Sequence, residues 1–294
     1  MKKILILVGK KTDKKNVFLK LITDFTESDT DVEMDTFPNL TFEIENGRVE
    51  VRISGRDIRE FDVVYIRSLR KDLTFMAGIL SYSLDNLGVK YFDKKFKTTL
   101  ATSDKLTSIV LLGLSGLPII PTFYCEREKI LENANFLIKK FGFPIIAKEL
   151  MSHHSKNVFV LRSKEDFKML DGHQFLFQKF IPLSDEYRFL VLGNEVKSIQ
   201  RMYRDLSGIK AQVDNRYDYK YINVSEMSGQ MKELAVKCAE GLNLQVAGVD
   251  LLVAKNKSDI YVIEVNGNPG FTYDTNVSGE IPELAKFLEL EANK

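Results

Sequence analysis

The apolar residues at the start of the chain alternate between short continuous runs and helical spacing. The run from Ile4 to Val8 is bounded by turn residues, which is typical of a parallel strand buried on both faces. The stretch from Phe18 to Phe25 has helical spacing, and Asn46-Gly47 lies between two alternating runs, which favours a hairpin. A second buried strand is predicted at 62–66. The pattern predicts a small α/β domain over residues 1–95.

Residues 96–182 show the elements of a second unit. A helix is predicted at 128–141, with Gly142 as its C-terminal stop. Short apolar runs then predict strands, at 144–148, 158–161 and 175–180. Strands with helices beside them indicate an α+β unit.

Strands dominate the pattern in residues 183–294. A helix is predicted at 230–241. The apolar runs on either side of it predict four strands, at 187–192, 195–201, 247–253 and 260–265. We therefore expect a third unit that is built mainly on a sheet.

Composition and charge exclude several classes of protein. The 294 residues are 44% hydrophobic and 28% charged, as in an ordinary globular protein. Lys and Arg number 42 against 41 Asp and Glu, which argues against a dedicated nucleic-acid binder. No run approaches the ~20 apolar residues that span a bilayer, so no membrane association is expected. The cysteines, Cys125 and Cys238, lie far apart and outside any metal-ligand spacing, which indicates packing residues in the reducing cytoplasm.

The strongest set of polar residues lies near the end of the chain. Asp250 is part of one predicted strand, and Glu264 and Asn266 are part of the next. Because side chains alternate along a strand, Glu264 and Asn266 share one face, and Asp250 can join them if the strands pair. Two carboxylates and an amide oxygen suit Mg²⁺, which prefers oxygen ligands. The alternative is that the acids are edge charges and that Asn266-Gly267 is only a turn.

The strings AGVDLL and IEVNGNPG, which carry these residues, resemble the metal-binding end of ATP-grasp enzymes, in particular the RimK-like ligases. The resemblance implies that Asp250, Glu264 and Asn266 hold two Mg²⁺ ions, with Mn²⁺ as an alternative, between the phosphates of ATP. It also implies a fold with an N-terminal Rossmann-like domain and two α+β subdomains that clasp ATP. The expected boundaries are 1–95, 96–182 and 183–294.

Further strings follow in the order that the family shows. SDKL and LPIIPT are similar to the family's entry motif, and FPIIAK is similar to one of its strands. The resemblance implies that Lys105 and Lys148 bind phosphate, although a single lysine is more often a surface residue. FQKFIP is similar to the adenine hinge, and Asp185 falls at the position of a ribose-binding acid. The hinge residues are Gln178, Lys179, Phe180 and Ile181.

Two arginines are candidates for contact with the transferred group. Arg188 lies in DEYRFLVLGNEV, which is similar to a family strand, and Arg201 ends the string KSIQR. The resemblance implies that both contact the γ-phosphate or the acyl-phosphate. The alternative for each is a structural ion pair.

The chain departs from the family pattern at two places. The family's phosphate-covering loop is glycine-rich, because backbone N–H groups must approach the phosphates closely. Here it reads SHHSKNV, in which His154 and Lys156 remain as phosphate donors and a polar surface turn is the alternative. Where the family has an Arg and an Asn near the acceptor, the chain has Lys210 and Gln212, and Lys lacks the planar fork of Arg. Lys210 is a third candidate, with Arg188 and Arg201, for contact with the transferred group.

The resemblance implies an ATP-dependent ligase. A carboxylate takes the γ-phosphoryl group of ATP, and an amine then displaces phosphate to form an amide. The expected partners are small-molecule or peptide carboxylates and amines, and a homo-oligomer is compatible with the sequence. Arg67 and Arg70, after a predicted strand, are candidates for holding a substrate carboxylate or are exposed basic residues. The alternatives left open are a ligase that cross-links a ribosomal peptide, an ATP-grasp kinase, and a non-catalytic ATP-binding protein.

Overall fold

A computed structural model describes residues 1–45, 48–67, 69, 73–97, 105–150, 158–170, 173–203 and 219–294. Its helices are α1 (Asp13–Asp24), α2 (Thr74–Leu87), α3 (Lys105–Leu114), α4 (Ile130–Phe141), α5 (Gly229–Gly241) and α6 (Glu280–Ala292). Its strands are β1 (Lys2–Val8), β2 (Thr30–Thr36), β3 (Leu40–Glu45), β4 (Arg48–Ile53), β5 (Arg56–Asp57), β6 (Val63–Arg67), β7 (Lys90–Phe92), β8 (Thr122–Tyr124), β9 (Ile145–Glu149), β10 (Val158–Leu161), β11 (Phe175–Lys179), β12 (Leu183–Leu192), β13 (Glu195–Met202), β14 (Tyr219–Ile222), β15 (Val246–Ala254) and β16 (Ile260–Asn266).

The first sheet is parallel and has the order β2-β1-β6-β7. The apolar run of β1 is fully buried, as expected for a strand covered on both faces. α2 ends at Gly88, whose φ of 70° lies in the left-handed region that glycine adopts without strain. β3, β4 and β5 form a separate three-stranded antiparallel sheet. The predicted hairpin is therefore present, although its turn at Asn46-Gly47 lies outside the described residues.

The second sheet is antiparallel and has the order β10-β9-β11-β8. One of its faces packs on α4, where Leu137 meets Ala147 and Phe177 in one apolar cluster. Side chains alternate along β9 and β11, so Ile146 and Lys148, on either side of Ala147, and Gln178, next to Phe177, point to the opposite face. The second sheet therefore packs on α4 with one face, and its other face carries Lys148 beside the buried residues Val160 and Leu176.

The third sheet has five antiparallel strands in the order β14-β13-β12-β15-β16. Phe189 and Val249 on its central strands pack against Ala235 of α5 and Leu112 of α3. The residues that alternate with Phe189 along β12 and with Val249 along β15 point away from these helices. The polar residues of the site therefore lie on the opposite face, where Leu190 and Val246 pack in one cluster with residues of α6.

α6 packs on the first sheet, although it follows the third sheet in the chain. Leu284 and Leu288 lie in the same cluster as Ile4, Ile6 and Val246. α3 crosses a predicted boundary in a similar way, because Leu112 packs on the third sheet. The sheets thus fall within the predicted units 1–95, 96–182 and 183–294, and those boundaries stay a prediction.

The sequence analysis did not predict several elements, among them β2, β14 and α6. β2 has only two apolar residues, Val32 and Met34, and β14 has only four residues, so the apolar pattern of each is weak. α6 did carry a signal, because Ile281, Leu284, Ala285 and Leu288 recur at helical spacing and are fully buried. None of the helices in the described part of the chain has the length and hydrophobicity that a bilayer-spanning helix needs.

A buried aspartate attaches the first sheet to the third. Asp93 follows β7 and is fully buried, and its Oδ1 accepts the backbone N–H groups of Gln245 at 2.9 Å and Val246 at 3.0 Å. The backbone N–H of Lys94 donates to Gln245 Oε1 at 2.8 Å. Among the described residues, Asp93 Oδ2 has no hydrogen-bond partner. Burial raises the pKa of Asp93 from 3.8 to about 6, since water no longer solvates its charged form.

We predict that Asp93→Asn gains stability relative to the wild-type protein as the pH rises. A carboxyl whose pKa is raised in the folded state stabilises the fold fully below its unfolded pKa and loses that contribution as the pH rises through about 6. The amide oxygen of an asparagine can still accept both backbone N–H groups, and the side chain carries no charge. The difference in unfolding free energy between the Asp93→Asn variant and the wild type should grow by up to about 3 kcal/mol between about pH 4 and pH 7, at ~1.4 kcal/mol per pKa unit. Urea unfolding at several pH values measures it, and a difference that stays constant would contradict the raised pKa.

Candidate active site

A row of polar side chains crosses the third sheet on the face away from α5. The strand register places Tyr221, Gln200, Arg188, Asp250 and Glu264 directly opposite one another in five successive strands. Residues that lie opposite in an antiparallel sheet project to the same face. The sheet thus aligns residues that lie between 188 and 264 in the sequence.

Arg188 and Asp250 form the centre of this row. Arg188 Nε donates to Asp250 Oδ1 at 2.7 Å, and Nη2 donates to Oδ2 at 2.8 Å. The Asp250 side chain is 2% exposed, whereas that of Arg188 is 32% exposed. The Asp250 carboxylate raises the pKa of the Arg188 guanidinium above its usual value. The fork holds the guanidinium in one orientation, with one edge towards solvent.

Glu264 and Asn266 complete the acidic end of the row. Glu264 lies opposite Asp250, and Asn266 lies opposite Gly248, so both project to the same face. A β-bulge next to the Asp250–Glu264 pair shifts the register by one residue, a device that re-aims side chains beside active sites. Within the described residues neither side chain makes a hydrogen bond. Their oxygens, together with those of Asp250, make an all-oxygen set of the kind that can hold Mg²⁺.

Arg201 does not lie with Arg188. It follows Gln200 in β13 and lies opposite Tyr187, so it projects to the other face of the sheet. There it forms an ion pair with Asp185, and its guanidinium lies 5.5 Å from the centre of the Tyr203 ring. The structure therefore separates the two arginines that the sequence analysis placed at one group. The roles of Arg201 and Asp185 stay predictions.

Two of the predicted nucleotide residues of the second sheet lie on the face away from α4, whereas Lys179 lies opposite Ile145 on the other face. Lys148 in β9 and Gln178 in β11 share this face, and Gln178 is buried, with its Nε2 donating to Thr122 Oγ1 at 3.0 Å. The backbone N–H of Lys179 donates to Pro121 O at 3.0 Å. Two further predicted residues, Phe180 and Ile181, are half-buried in the connection from β11 to β12.

The remaining predicted residues divide into two groups. Lys105 is the first residue of α3 and is half-buried. His154, Lys156 and Lys210 lie outside the described residues, and their predicted roles stay predictions.

The loop that follows Asn266 approaches the first sheet closely. A side chain at Gly267 would collide with Leu244 and with the Nζ of Lys95, so this position requires glycine. The ammonium group of Lys95 therefore lies against the backbone between Asn266 and Asn268. This close approach joins the first sheet to the acidic end of the row.

Arg67 anchors the same loop at a second point. Its Nη2 donates to Pro269 O at 2.9 Å, and its Nη1 donates to Tyr65 Oη at 3.0 Å. The guanidinium lies 4.8 Å from the centre of the Phe18 ring and 4.6 Å from that of Phe271. It is only 9% exposed, so it is not the exposed basic residue that the sequence left as an alternative. Its contacts hold the loop; the proposed contact with a substrate carboxylate stays a prediction, and Arg70 lies outside the described residues.

The chain matches the family described as the RimK-like ATP-grasp domain over residues 102–283. It belongs to this family. The predicted family is therefore confirmed, and the polar row of the third sheet lies within the matched residues.

Relatives of this RimK-like chain are named as synthases and ligases. Beta-citrylglutamate synthase B of Mus musculus is 27% identical over 297 residues, which cover 93% of the chain and 73% of the relative. A coenzyme gamma-F420-2:alpha-L-glutamate ligase of Methanocaldococcus jannaschii is 29% identical over 191 residues, or 61% of the chain and 62% of that protein. The chain thus spans less than two thirds of this second relative. The predicted reaction class, ATP-dependent joining of a carboxylate to an amine, agrees with these names.

Solved structures confirm the ATP-grasp fold. The ATP-grasp ligase PsnB complexed with a minimal precursor has a TM-score of 0.74 at 18% identity, with both chains covered completely. The VanG D-Ala:D-Ser ligase of Enterococcus faecalis has a TM-score of 0.70 at 15% identity, with 99% of both chains covered. At these identities the likeness shows the fold alone.

The sequence analysis missed two members of the polar row, Gln200 and Tyr221, and their neighbour Glu280. Alternation along β13 could have found Gln200, because it lies two residues from Ser198 and Met202 on a face that carries Arg188 in the next strand. Glu280 begins α6, where an acid is common for reasons of helix electrostatics, so its type and position gave no separate signal. Tyr221 lies in β14, which was not predicted.

We predict that Arg188→Met costs far more stability than Arg201→Met. The first change leaves the buried carboxylate of Asp250 without its ion-pair partner, which typically costs about 3–5 kcal/mol. The second removes an ion pair whose arginine is 42% exposed, which typically costs about 1 kcal/mol or less. Chemical denaturation of both variants measures the difference. Equal losses would show that the Asp250 carboxylate does not depend on Arg188.

Proposed function

We propose that the chain is an ATP-dependent ligase that joins a carboxylate to an amine through an acyl-phosphate, with release of ADP and phosphate. The observation that supports this most is the row from Arg188 to Glu264, in which a fixed cation lies beside an all-oxygen donor set. Phosphoryl transfer requires mainly positioning and neutralisation of charge, and the row offers both. No covalent nucleophile is needed.

We assign the metal site to Asp250, Glu264 and Asn266, and we propose two Mg²⁺ ions there, with Mn²⁺ as an alternative. Bound Mg²⁺ neutralises phosphate charge and holds phosphate oxygens in place. The donor set supports the assignment, because the side chains of Glu264 and Asn266 make no hydrogen bond with any described residue. Asp250 is held by Arg188 in the orientation that brings it beside Glu264.

The cationic residues are proposed to neutralise two sets of phosphate charges. We propose that the exposed edge of the Arg188 guanidinium contacts the transferred phosphoryl group, since its other edge is engaged by Asp250. Arg201 and Lys210 are further candidates for that contact, and Arg201 would have to leave its ion pair with Asp185 to reach it. The proposed phosphate-binding residues are Lys105, Lys148, His154 and Lys156.

The nucleoside would lie along the connection between the second and third sheets. We propose that backbone groups of Phe180 and Ile181 read the adenine edge, with Gln178 and Lys179 beside them, and that Asp185 contacts the ribose. The location supports this, because Lys148 and Gln178 share the face of the second sheet that α4 does not cover. The three predicted units, 1–95, 96–182 and 183–294, would then enclose the nucleotide.

We propose an acidic amino acid, with L-glutamate as the first candidate, as the amine substrate. The names of the two relatives described above support this choice, as does a probable alpha-L-glutamate ligase of Enterobacter sp. that is 26% identical over 230 residues. The carboxylate substrate is either a small molecule or a peptide.

We predict that MgATP stabilises the wild-type protein but not Glu264→Gln. A ligand that binds only the folded state raises stability by mass action, by about 2.7 kcal/mol at a hundredfold excess over its dissociation constant. The matched control is Glu195→Gln, which changes an exposed acid at the start of β13 in the same sheet and should retain the full effect. Thermal unfolding with and without MgATP measures this. No stabilisation of the wild type would contradict the nucleotide site, and an equal rise in Glu264→Gln would contradict the metal assignment.

We predict that ADP release requires both a carboxylate and an amine substrate. L-Glutamate is offered as the amine with a panel of di- and tricarboxylates and of peptides that end in glutamate. Mass spectrometry should show a product formed by loss of water between the two substrates. A phosphorylated product without amide formation would instead support the kinase alternative, and ATP binding without any product would support the non-catalytic one.

A further inference from the structure

A closed set of hydrogen-bonded side chains lies beside the polar row, at the end away from the acids. It joins β13, β14, the loop after β16 and the start of α6. We call it the Glu280 network, and its members are Gln200, Tyr221, Thr272, Ser278 and Glu280.

The hydrogen bonds of the network converge on Glu280 and Tyr221. Gln200 Nε2 donates to Glu280 Oε1 at 3.2 Å and to Tyr221 Oη at 2.7 Å. The backbone N–H of Thr272 donates to Glu280 Oε2 at 2.9 Å, and the hydroxyls of Thr272 and Tyr221 lie 2.6 Å apart. The backbone N–H of Glu280 donates to Ser278 Oγ at 3.1 Å. Both carboxylate oxygens of Glu280 are thus engaged by donors from different elements.

Burial of the Glu280 carboxylate lowers the stability of the fold, which indicates that this side chain has a role beyond filling space. It is 4% exposed, and burial raises the pKa of its carboxyl, although the donors around it and the charge of Arg188 oppose that rise. Burying a carboxylate costs free energy unless several donors compensate it. An apolar residue at this position would avoid that cost.

The register of the sheet gives the network its place relative to the reaction. Gln200 and Tyr221 continue the row directly from Arg188, on the side opposite to Asp250 and Glu264. If the acids hold the phosphates through metal and Arg188 holds the transferred group, the amine must approach from the remaining side. In the described part of the sheet, Gln200 and Tyr221 are the polar residues that extend the row on that side.

We propose that the Glu280 network forms the amine side of the ligation site, with Gln200 and Tyr221 facing the amine substrate and Glu280 as a positioning residue that orients them. Glu280 also holds the loop of residues 267–279 against the sheet through Thr272. This inference rests on the proposed ligase function. It adds the residues on which affinity for the amine depends.

The test compares Glu280→Gln with Glu283→Gln, which lies one turn further along α6 and whose carboxylate forms a long, half-exposed ion pair with Lys197. A glutamine at 280 turns an amide NH₂ group towards Gln200 or Thr272, which are both donors. We expect the KM for the amine substrate to rise roughly tenfold, as for the loss of a hydrogen bond to a charged group. The KM for ATP and the stabilisation by MgATP should stay unchanged. Glu283→Gln should match the wild type in all these values.

Two further variants keep the proposal testable if Glu280→Gln does not fold. The double change Gln200→Glu with Glu280→Gln restores a donor–acceptor pair between these positions and should recover the fold, whereas the KM for the amine should stay above the wild-type value because Gln200 itself faces that substrate. Tyr221→Phe removes only the hydroxyl and should raise the KM for the amine by roughly threefold to tenfold.

The outcomes separate this inference from the proposed function. An unchanged KM for the amine in both Glu280→Gln and Tyr221→Phe would overturn the inference while the ligase activity stands. An equal loss of ATP and amine affinity would also overturn it, because the network would then support the fold as a whole. A wild-type protein with no amine-dependent ADP release would overturn the proposed function itself.

Discussion

The site depends on the ion pair between Arg188 and Asp250. A carboxylate that is 2% exposed must have donors for both oxygens, and the guanidinium supplies them in one planar fork. The two residues lie opposite each other in β12 and β15, which are central strands of the sheet. Neighbouring strands on either side then extend the row in register. The pair thus places the acids at one end and the Glu280 network at the other.

A second constraint is the position of the polar row on the face of the third sheet away from α5 and α3. α5 and α3 cover the third sheet where Phe189 and Val249 point, so residues of the opposite parity along the strands are left for chemistry. The same parity explains why Arg201 lies apart from Arg188. One residue of displacement along β13 moves a side chain to the other face, where Asp185 binds it.

The first sheet completes the site through contacts with the loop after Asn266. Arg67 binds the carbonyl of Pro269, Lys95 lies against Gly267, and Asp93 holds the start of β15. α6 packs on the first sheet and begins at Glu280, so it attaches the network to that sheet as well. The loop after Asn266 is therefore held by the first sheet and by the Glu280 network, which limits the movement of Asn266 away from Asp250 and Glu264.

The sequence by itself determined most of the strands of the three larger sheets, the family and the acidic end of the row. Asp250, Glu264 and Asn266 could be grouped in advance because alternation along two adjacent strands is a local property, and their strings match a family. The arginines could not be separated in this way, since their faces depend on the pairing of β12 with β13. The Glu280 network was also invisible, because it joins residues 200, 221, 272 and 280 through hydrogen bonds across four elements. Local patterns decide what each strand or helix presents, whereas only the tertiary structure decides which of those faces meet.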